Sequence, residues 1–270
     1  MDYHNIALFT DLDGTLFASD RSISAENRAA IHQFVEGGGS FGISTGRAPD
    51  NAISLLSGVE INSWSVILNG AAAYHFSEEQ SALLSDLPRR EMETLLRWVV
   101  QELPEVNIQL CTDGPLLLLT RPEYFDHPFV STHQPMTVAN VEDALCYRWL
   151  KVLFCAPRPV LEKLYLHAQE TGATAVMDPV YTNEVFLEFL PKGINKGSCL
   201  HELRSLPELK GKTFVAIGDY TNDLELLQEA DVAVAVENAL PTVKQIADHI
   251  VASNDNHALA DLIFRVLPTL

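Results

Sequence analysis

The sequence predicts an α/β fold: a doubly wound (Rossmann-like) parallel-sheet core with an inserted α+β cap domain. Three observations carry that expectation. Near both ends of the chain, short apolar runs alternate with amphipathic stretches of helical period, the rhythm of a parallel sheet with crossovers. The middle breaks this rhythm with successive strand-like runs. Between Asp13 and Thr45 there is room for one helix and one strand, whereas between Thr45 and Lys196 there is room for a whole further domain. The expected division is core 1–81, insertion 82–188 and core 189–270.

Ile6 to Thr10 is a continuous apolar run, as a strand buried on both faces requires, and it ends abruptly at Asp11-Leu12-Asp13-Gly14-Thr15. Ser24 is placed to cap a helix that carries Ile31, Phe34 and Val35 on one face, and Gly37, Gly38 and Gly39 stop it. Phe41 to Ser44 reads as a second strand, with a helix from beyond Arg47 through Leu56. Trp64 to Leu68 reads as a third, ending at Asn69-Gly70.

In the middle, Val106 to Leu110, Leu116 to Leu119, Trp149 to Phe154 and Ala173 to Met177 read as strands. Helices are expected near Glu91 to Glu102 and Val160 to Glu170, on one face of the sheet. Pro, Asp and His cluster between Arg121 and Pro135, an irregular connection. From Gly193 the α/β rhythm returns: a helix after Lys196, strands at Thr213 to Ile217, Val232 to Val236 and His249 to Val251, and a closing helix to Leu267.

Of the 270 residues 47% are apolar and 20% charged, ordinary for a globular chain with a real core. The formal net charge of -18 argues against nucleic acid or an anionic membrane surface as a partner. No stretch reaches the ~18 apolar residues of a membrane span, and the amino-terminal residues lack the pattern of a signal peptide. The four cysteines show no metal-binding spacing, so reduced thiols and a cytoplasmic location are expected. The nine histidines also fall in no ligand spacing.

In open α/β sheets, ligands bind beyond the carboxyl ends of the strands. Asp11, Asp13, Thr45, Asn69, Asp219, Asn222 and Asp223 all fall at such ends, and Lys196 opens the helix between them. Asp13-Gly14 alone is explained as well by a turn; four acids at successive strand ends are not. Like charges that close repel unless a cation or proton is shared. An oxygen-only ligand set favours a hard cation, and magnesium suits a site that also holds a phosphate.

These motifs together resemble the haloacid dehalogenase superfamily, and within it the Cof-type phosphatases with an α/β cap. D-x-D-G-T is Asp11 to Thr15, the strand-end Thr is Thr45 within S-T-G-R, the Lys is Lys196 within G-I-N-K-G, and G-D-x-x-N-D is Gly218 to Asp223. The resemblance covers both ends of the chain by motif and the middle only by length and position. It implies a phosphatase acting on a small phosphorylated metabolite through an aspartyl phosphate, with Asp11 as nucleophile and Asp13 as general acid/base. It implies Mg2+ held by Asp11, the backbone carbonyl of Asp13 and Asp219, with Asp223 close behind. Leu12 and Gly46 through their backbone amides, with Thr45, Lys196 and Asn222, are implied to hold the phosphoryl oxygens. Arg47 and Asn69 are implied to lie near the leaving group. A phosphosugar mutase with the same aspartyl chemistry is the alternative. No nucleic-acid or membrane partner is expected, and the chain is expected to be a monomer or weak homodimer. Where the family has Gly-Asn-Ala this chain has Glu237-Asn238-Ala239, with Glu237 expected to face solvent. Lys192 is a rival to Lys196, but Lys196 has the flanks of the motif.

Overall fold

In the computed structural model, which describes residues 2–120 and 136–270, the chain divides into two compact units. One combines Met1–Leu83 with Asn195–Leu270; the other is Leu84–Ile194. The irregular connection expected between Arg121 and Pro135 lies outside the described residues.

The first unit opens with β1 (Ile6–Thr10), α1 (Ala25–Glu36), β2 (Ser40–Ile43), α2 (Pro49–Leu55) and β3 (Trp64–Ile67). Ser24 caps α1 by accepting from the backbone N–H of Asn27, and the buried face of α1 is Asn27, Ala30, Ile31 and Phe34. The third strand departs from expectation. It meets β2 through one parallel bridge, Ser44 to Val66, and otherwise pairs antiparallel with β4 (Ala72–His75), which pairs with β5 (Gln80–Ala82). The cause is the turn between β3 and β4: Leu68, Asn69 and Gly70 have φ of 53°, 56° and 96°, and this left-handed run turns the chain straight back.

The second unit contains α3 (Arg89–Glu102), β6 (Asn107–Thr112), β7 (Leu117–Leu118), β8 (Thr137–Val138), α4 (Val141–Ala144), β9 (Trp149–Cys155), α5 (Arg158–Glu170), β10 (Met177–Asn183) and β11 (Phe186–Pro191). Among the described residues its strands run in the order β10-β11-β9-β6-β7-β8. Met92, Leu95, Leu96 and Val99 of α3 and Leu161, Leu164 and Ala168 of α5 share a core with Ile108, Leu110, Val152, Phe154, Leu187 and Phe189. Strand alternation therefore puts Gln109, Cys111, Lys151 and Glu188 on the opposite face. The strand expected over Ala173 to Met177 is instead a tight turn, Ala173–Ala175, after left-handed Gly172, and pairing begins only at Met177.

Back in the first unit come α6 (Lys196–Leu203), β12 (Thr213–Gly218), α7 (Leu224–Glu229), β13 (Val232–Val236), α8 (Pro241–Ile246), β14 (His249–Val251) and α9 (Ala258–Asp261). The sheet order is β14-β13-β12-β1-β2, all parallel. The order reverses direction at β1 and β12, so the amino-terminal and carboxy-terminal halves of this unit place their strand ends side by side.

Candidate active site

Register brings the site together. Thr10 pairs with Ile217, and the Asp11 N–H then donates to the Ile217 carbonyl at 3.0 Å, so Asp11 and Asp219 leave adjacent strands at the same level. On the other side of β1, Ser44 N–H donates to the Thr10 carbonyl at 2.8 Å, which brings Thr45 to the same edge. Lys196 arrives as the first residue of α6, whose capping residue Asn195 accepts from the N–H of Ser198. Gly197 permits the close approach of α6 to α7, since a Cβ there would lie 2.2 Å from the Glu225 carbonyl oxygen.

The centre is Lys196. It is 1% exposed, and its ammonium donates to Asp11 Oδ1 and to Asp223 Oδ1, both at 2.6 Å. Asp223 is wholly buried, and its other oxygen accepts the N–H groups of Asp219 and Tyr220 at 3.0 and 3.1 Å. Asp219 accepts from the Thr15 hydroxyl at 2.9 Å. Carboxylate oxygens of Asp11, Asp219 and Asp223 all lie within 4.8 Å of one another.

Three carboxylates against one ammonium leave an excess of negative charge in a largely buried cluster. Burial pushes the Asp11 carboxyl well above the usual carboxylate range, with Lys196 opposing and Asp223 and Asp219 reinforcing the rise. Burial and the charge of Asp223 push Asp219 up to about 6. Burial works against the charge of Lys196, but Asp11 and Asp223 outweigh it and hold the ammonium above its ordinary value. A hard divalent cation fits this set: every candidate donor is an oxygen, and the uncompensated charge has the sign and size such an ion neutralises. Asp11, Asp219 and Asp223 are the side chains placed to hold it.

Asp13 stands apart from the cluster. Both its oxygens lie in the fork of Arg47, Nε to Oδ2 at 2.8 Å and Nη2 to Oδ1 at 2.6 Å, and its side chain is 55% exposed. Arg47 is braced in turn by Asn51 Oδ1 at 2.6 Å from Nη1. Thr45 is buried, its hydroxyl accepting from the Arg47 N–H at 3.2 Å. Asn222 donates from Nδ2 to Asn69 Oδ1 at 3.3 Å, and Gly46 lies so close to Asn69 that a Cβ would meet its amide at 2.9 Å. Leu12 is fully buried beneath the loop. Lys192, the rival lysine, pairs with Asp178 in the second unit, and Glu237 is exposed.

Three partners escaped the sequence reading. Asn51 lies four residues after Arg47, but Arg47 precedes the extended cap of α2, so no helical spacing foretold their contact. Thr15 and Asn238 sat inside quoted motifs, but nothing in the sequence says which group each one holds. Asn238 donates to the Gly14 carbonyl at 2.7 Å.

Residues 8–263 match the family model for haloacid dehalogenase-like hydrolase. The chain is 28% identical over 280 residues to "Endoribonuclease YBEY, chloroplastic" of Arabidopsis thaliana, covering 96% of this chain but only 46% of that protein. It is 30% identical over 247 residues to an HMP-PP phosphatase of Yersinia enterocolitica, covering 90% of this chain and 87% of that one. Its fold matches the crystal structure of a haloacid dehalogenase-like hydrolase from Bacteroides thetaiotaomicron with a TM-score of 0.85 at 23% identity, over 98% of this chain and 100% of the other. With strand order, buried acids and family match in agreement, the chain belongs to the haloacid dehalogenase-like hydrolases.

Proposed function

We propose that this chain is a magnesium-dependent phosphatase that hydrolyses a small phosphorylated metabolite through an aspartyl phosphate on Asp11. The observation that carries the reading is the buried Lys196 held by Asp11 and Asp223, with Asp219 alongside. A carboxylate is a competent covalent nucleophile toward phosphorus. An ammonium at 2.6 Å fixes the orientation of Asp11 and places positive charge beside the incoming phosphoryl oxygens.

In this reading Asp11 attacks in line and the leaving oxygen departs opposite it. Lys196, the Thr45 hydroxyl, Asn222 and the backbone amides of Leu12 and Gly46 bind the phosphoryl oxygens. Asp13 leaves the Arg47 fork, gives a proton to the departing alcohol, and then takes one from the water that frees phosphate from Asp11. Arg47 and Asn69 bound the side where the leaving group sits. Asp11, the backbone carbonyl of Asp13 and Asp219, with Asp223 behind, would hold Mg2+, which when bound would supply the positive charge that lets two anions meet.

The relative named as an HMP-PP phosphatase supports hydrolysis over the mutase alternative, because water rather than a second hydroxyl then receives the phosphoryl group. The test is release of inorganic phosphate from an aryl phosphate and from a panel of phosphorylated metabolites, with and without Mg2+. Activity that needs Mg2+ and vanishes with a chelator is expected; Ca2+ should inhibit, since its looser shell misplaces the nucleophile. Full activity in a metal-stripped sample would overturn the reading.

A further inference from the structure

The loop that carries Asp11 and Asp13 is pinned at two carbonyls by a pair of asparagines from the far end of the chain. Asn238 Nδ2 donates to the Gly14 carbonyl at 2.7 Å, and Asn254 Nδ2 donates to the Phe17 carbonyl at 3.0 Å. The pair is itself linked, since the Asn254 N–H donates to Asn238 Oδ1 at 2.9 Å. Between the two pinned carbonyls sits Thr15, fully buried, whose hydroxyl donates to Asp219 at 2.9 Å. Gly14 has φ of 83°, and a Cβ there would come within 2.5 Å of Asp219 Oδ2. The loop thus rests directly on Asp219, and its position decides where that carboxylate points.

From this geometry we infer that Asn238 and Asn254 are positioning residues for the cation site, acting through Gly14 and Thr15 on Asp219. Each makes a bond that another side chain cannot replace without loss. An Asp in place of either asparagine keeps the shape but presents an oxygen to a carbonyl, turning attraction into repulsion. Thr15 gives Asp219 one fixed oxygen as acceptor and leaves the other for a cation. A group bonded directly to a metal ligand, as Thr15 is to Asp219, typically sets affinity by about 10–100-fold.

The inference rests on the proposed cation site but not on the identity of the reaction, and the experiment keeps the two apart. Mg2+ is titrated calorimetrically into metal-stripped wild type, Asn238→Asp, Asn254→Asp and Thr15→Val, without substrate. Each variant is expected to bind Mg2+ about 10–100-fold more weakly than wild type while keeping its far-ultraviolet circular dichroism and a cooperative unfolding transition. If phosphate release is found, raising Mg2+ should restore turnover in the variants with KM little changed, a rescue that general loosening of the fold would not give. Should one asparagine variant fail to fold, the other carries the test, with Thr15→Val showing how far the orientation of Asp219 sets Mg2+ affinity. Unchanged Mg2+ affinity in the folded variants overturns the inference even if the wild type is a phosphatase. A wild type that binds Mg2+ yet releases no phosphate overturns the proposed reaction and leaves the positioning role to be judged by affinity alone.

Discussion

Each unit buries a lysine on a carboxylate, and the two cases have opposite logic. In the second unit Lys151 donates to Glu188 at 3.0 Å across the sheet face opposite the helices, with side chains 4% and 8% exposed. Among the described residues this contact joins one cation to one anion, and Thr182 adds a further bond to Glu188. In the first unit Lys196 faces Asp11 and Asp223 together, and Asp219 stands beside them. A matched buried pair needs only good geometry to persist. An unmatched cluster stores electrostatic strain that a ligand relieves, and such clusters mark sites of chemistry. Among the described residues, charge excess rather than burial of a lysine as such distinguishes the Lys196 cluster.

The largest break in this comparison is Asp11→Asn. It removes the proposed nucleophile, so phosphate release should fall to background and no phosphoenzyme should form in rapid-quench samples. Asp13→Asn keeps the nucleophile and should lower turnover by ~10²–10⁴-fold, the usual worth of general acid–base help. With an aryl phosphate, whose leaving group needs no proton, it should show a burst followed by slow turnover. The reverse pattern, with Asp11→Asn active and Asp13→Asn dead without a burst, would exchange the two roles.

The scaffold pair should fail differently. Lys151→Met strands Glu188 in a buried place and should cost about 3–5 kcal/mol in urea unfolding. Adding Glu188→Leu to it should recover most of that loss, because an apolar pair of similar volume replaces a matched ion pair at little cost. If the double variant is no more stable than the single one, the pair does more than hold the sheet.

How far the sequence foretold this depended on whether a feature was local. Asp11, Thr45 and Asp219 could be read because an apolar run stops abruptly at a polar residue, which marks a strand end in a parallel sheet. Lys196 could be read from its flanking residues and the helix that follows. The Arg47 fork on Asp13 could not, because it joins two strand ends 34 residues apart through side-chain rotamers. The return of β4 onto β3 was hidden because Leu68, a residue that rarely adopts positive φ, does so here. Lys151 lay in a run read only as a strand and Glu188 at the expected end of the insertion, where no strand was foreseen, and pairing them requires the register of β9 with β11.

A smaller effect concerns acidity. The folded-state value of Asp219 is raised from 3.8 to about 6, so its carboxyl favours the folded, metal-free chain most below pH 4. That contribution is lost as pH rises through about 6. The acids held low, Asp2, Asp20, Asp178, Asp231, Asp255 and Asp261 with an ordinary value of 3.8 and the exposed Glu142 with one of 4.5, act in the opposite sense and only as pH falls below those values. Between pH 4 and 6 the metal-free chain should therefore lose stability as pH rises, followed by thermal unfolding. Saturating Mg2+ should reverse the slope, because it favours the ionised cluster. Parallel slopes with and without Mg2+ would place the ion elsewhere.

The most direct test of the charge-excess account is a calorimetric titration of the metal-stripped chain with Mg2+ at neutral pH, beside Asp219→Asn and Lys151→Met. One ion per wild-type chain is expected, with binding lost or greatly weakened in Asp219→Asn and unchanged in Lys151→Met. Absence of binding in the wild type, or equal binding in Asp219→Asn, would contradict the account.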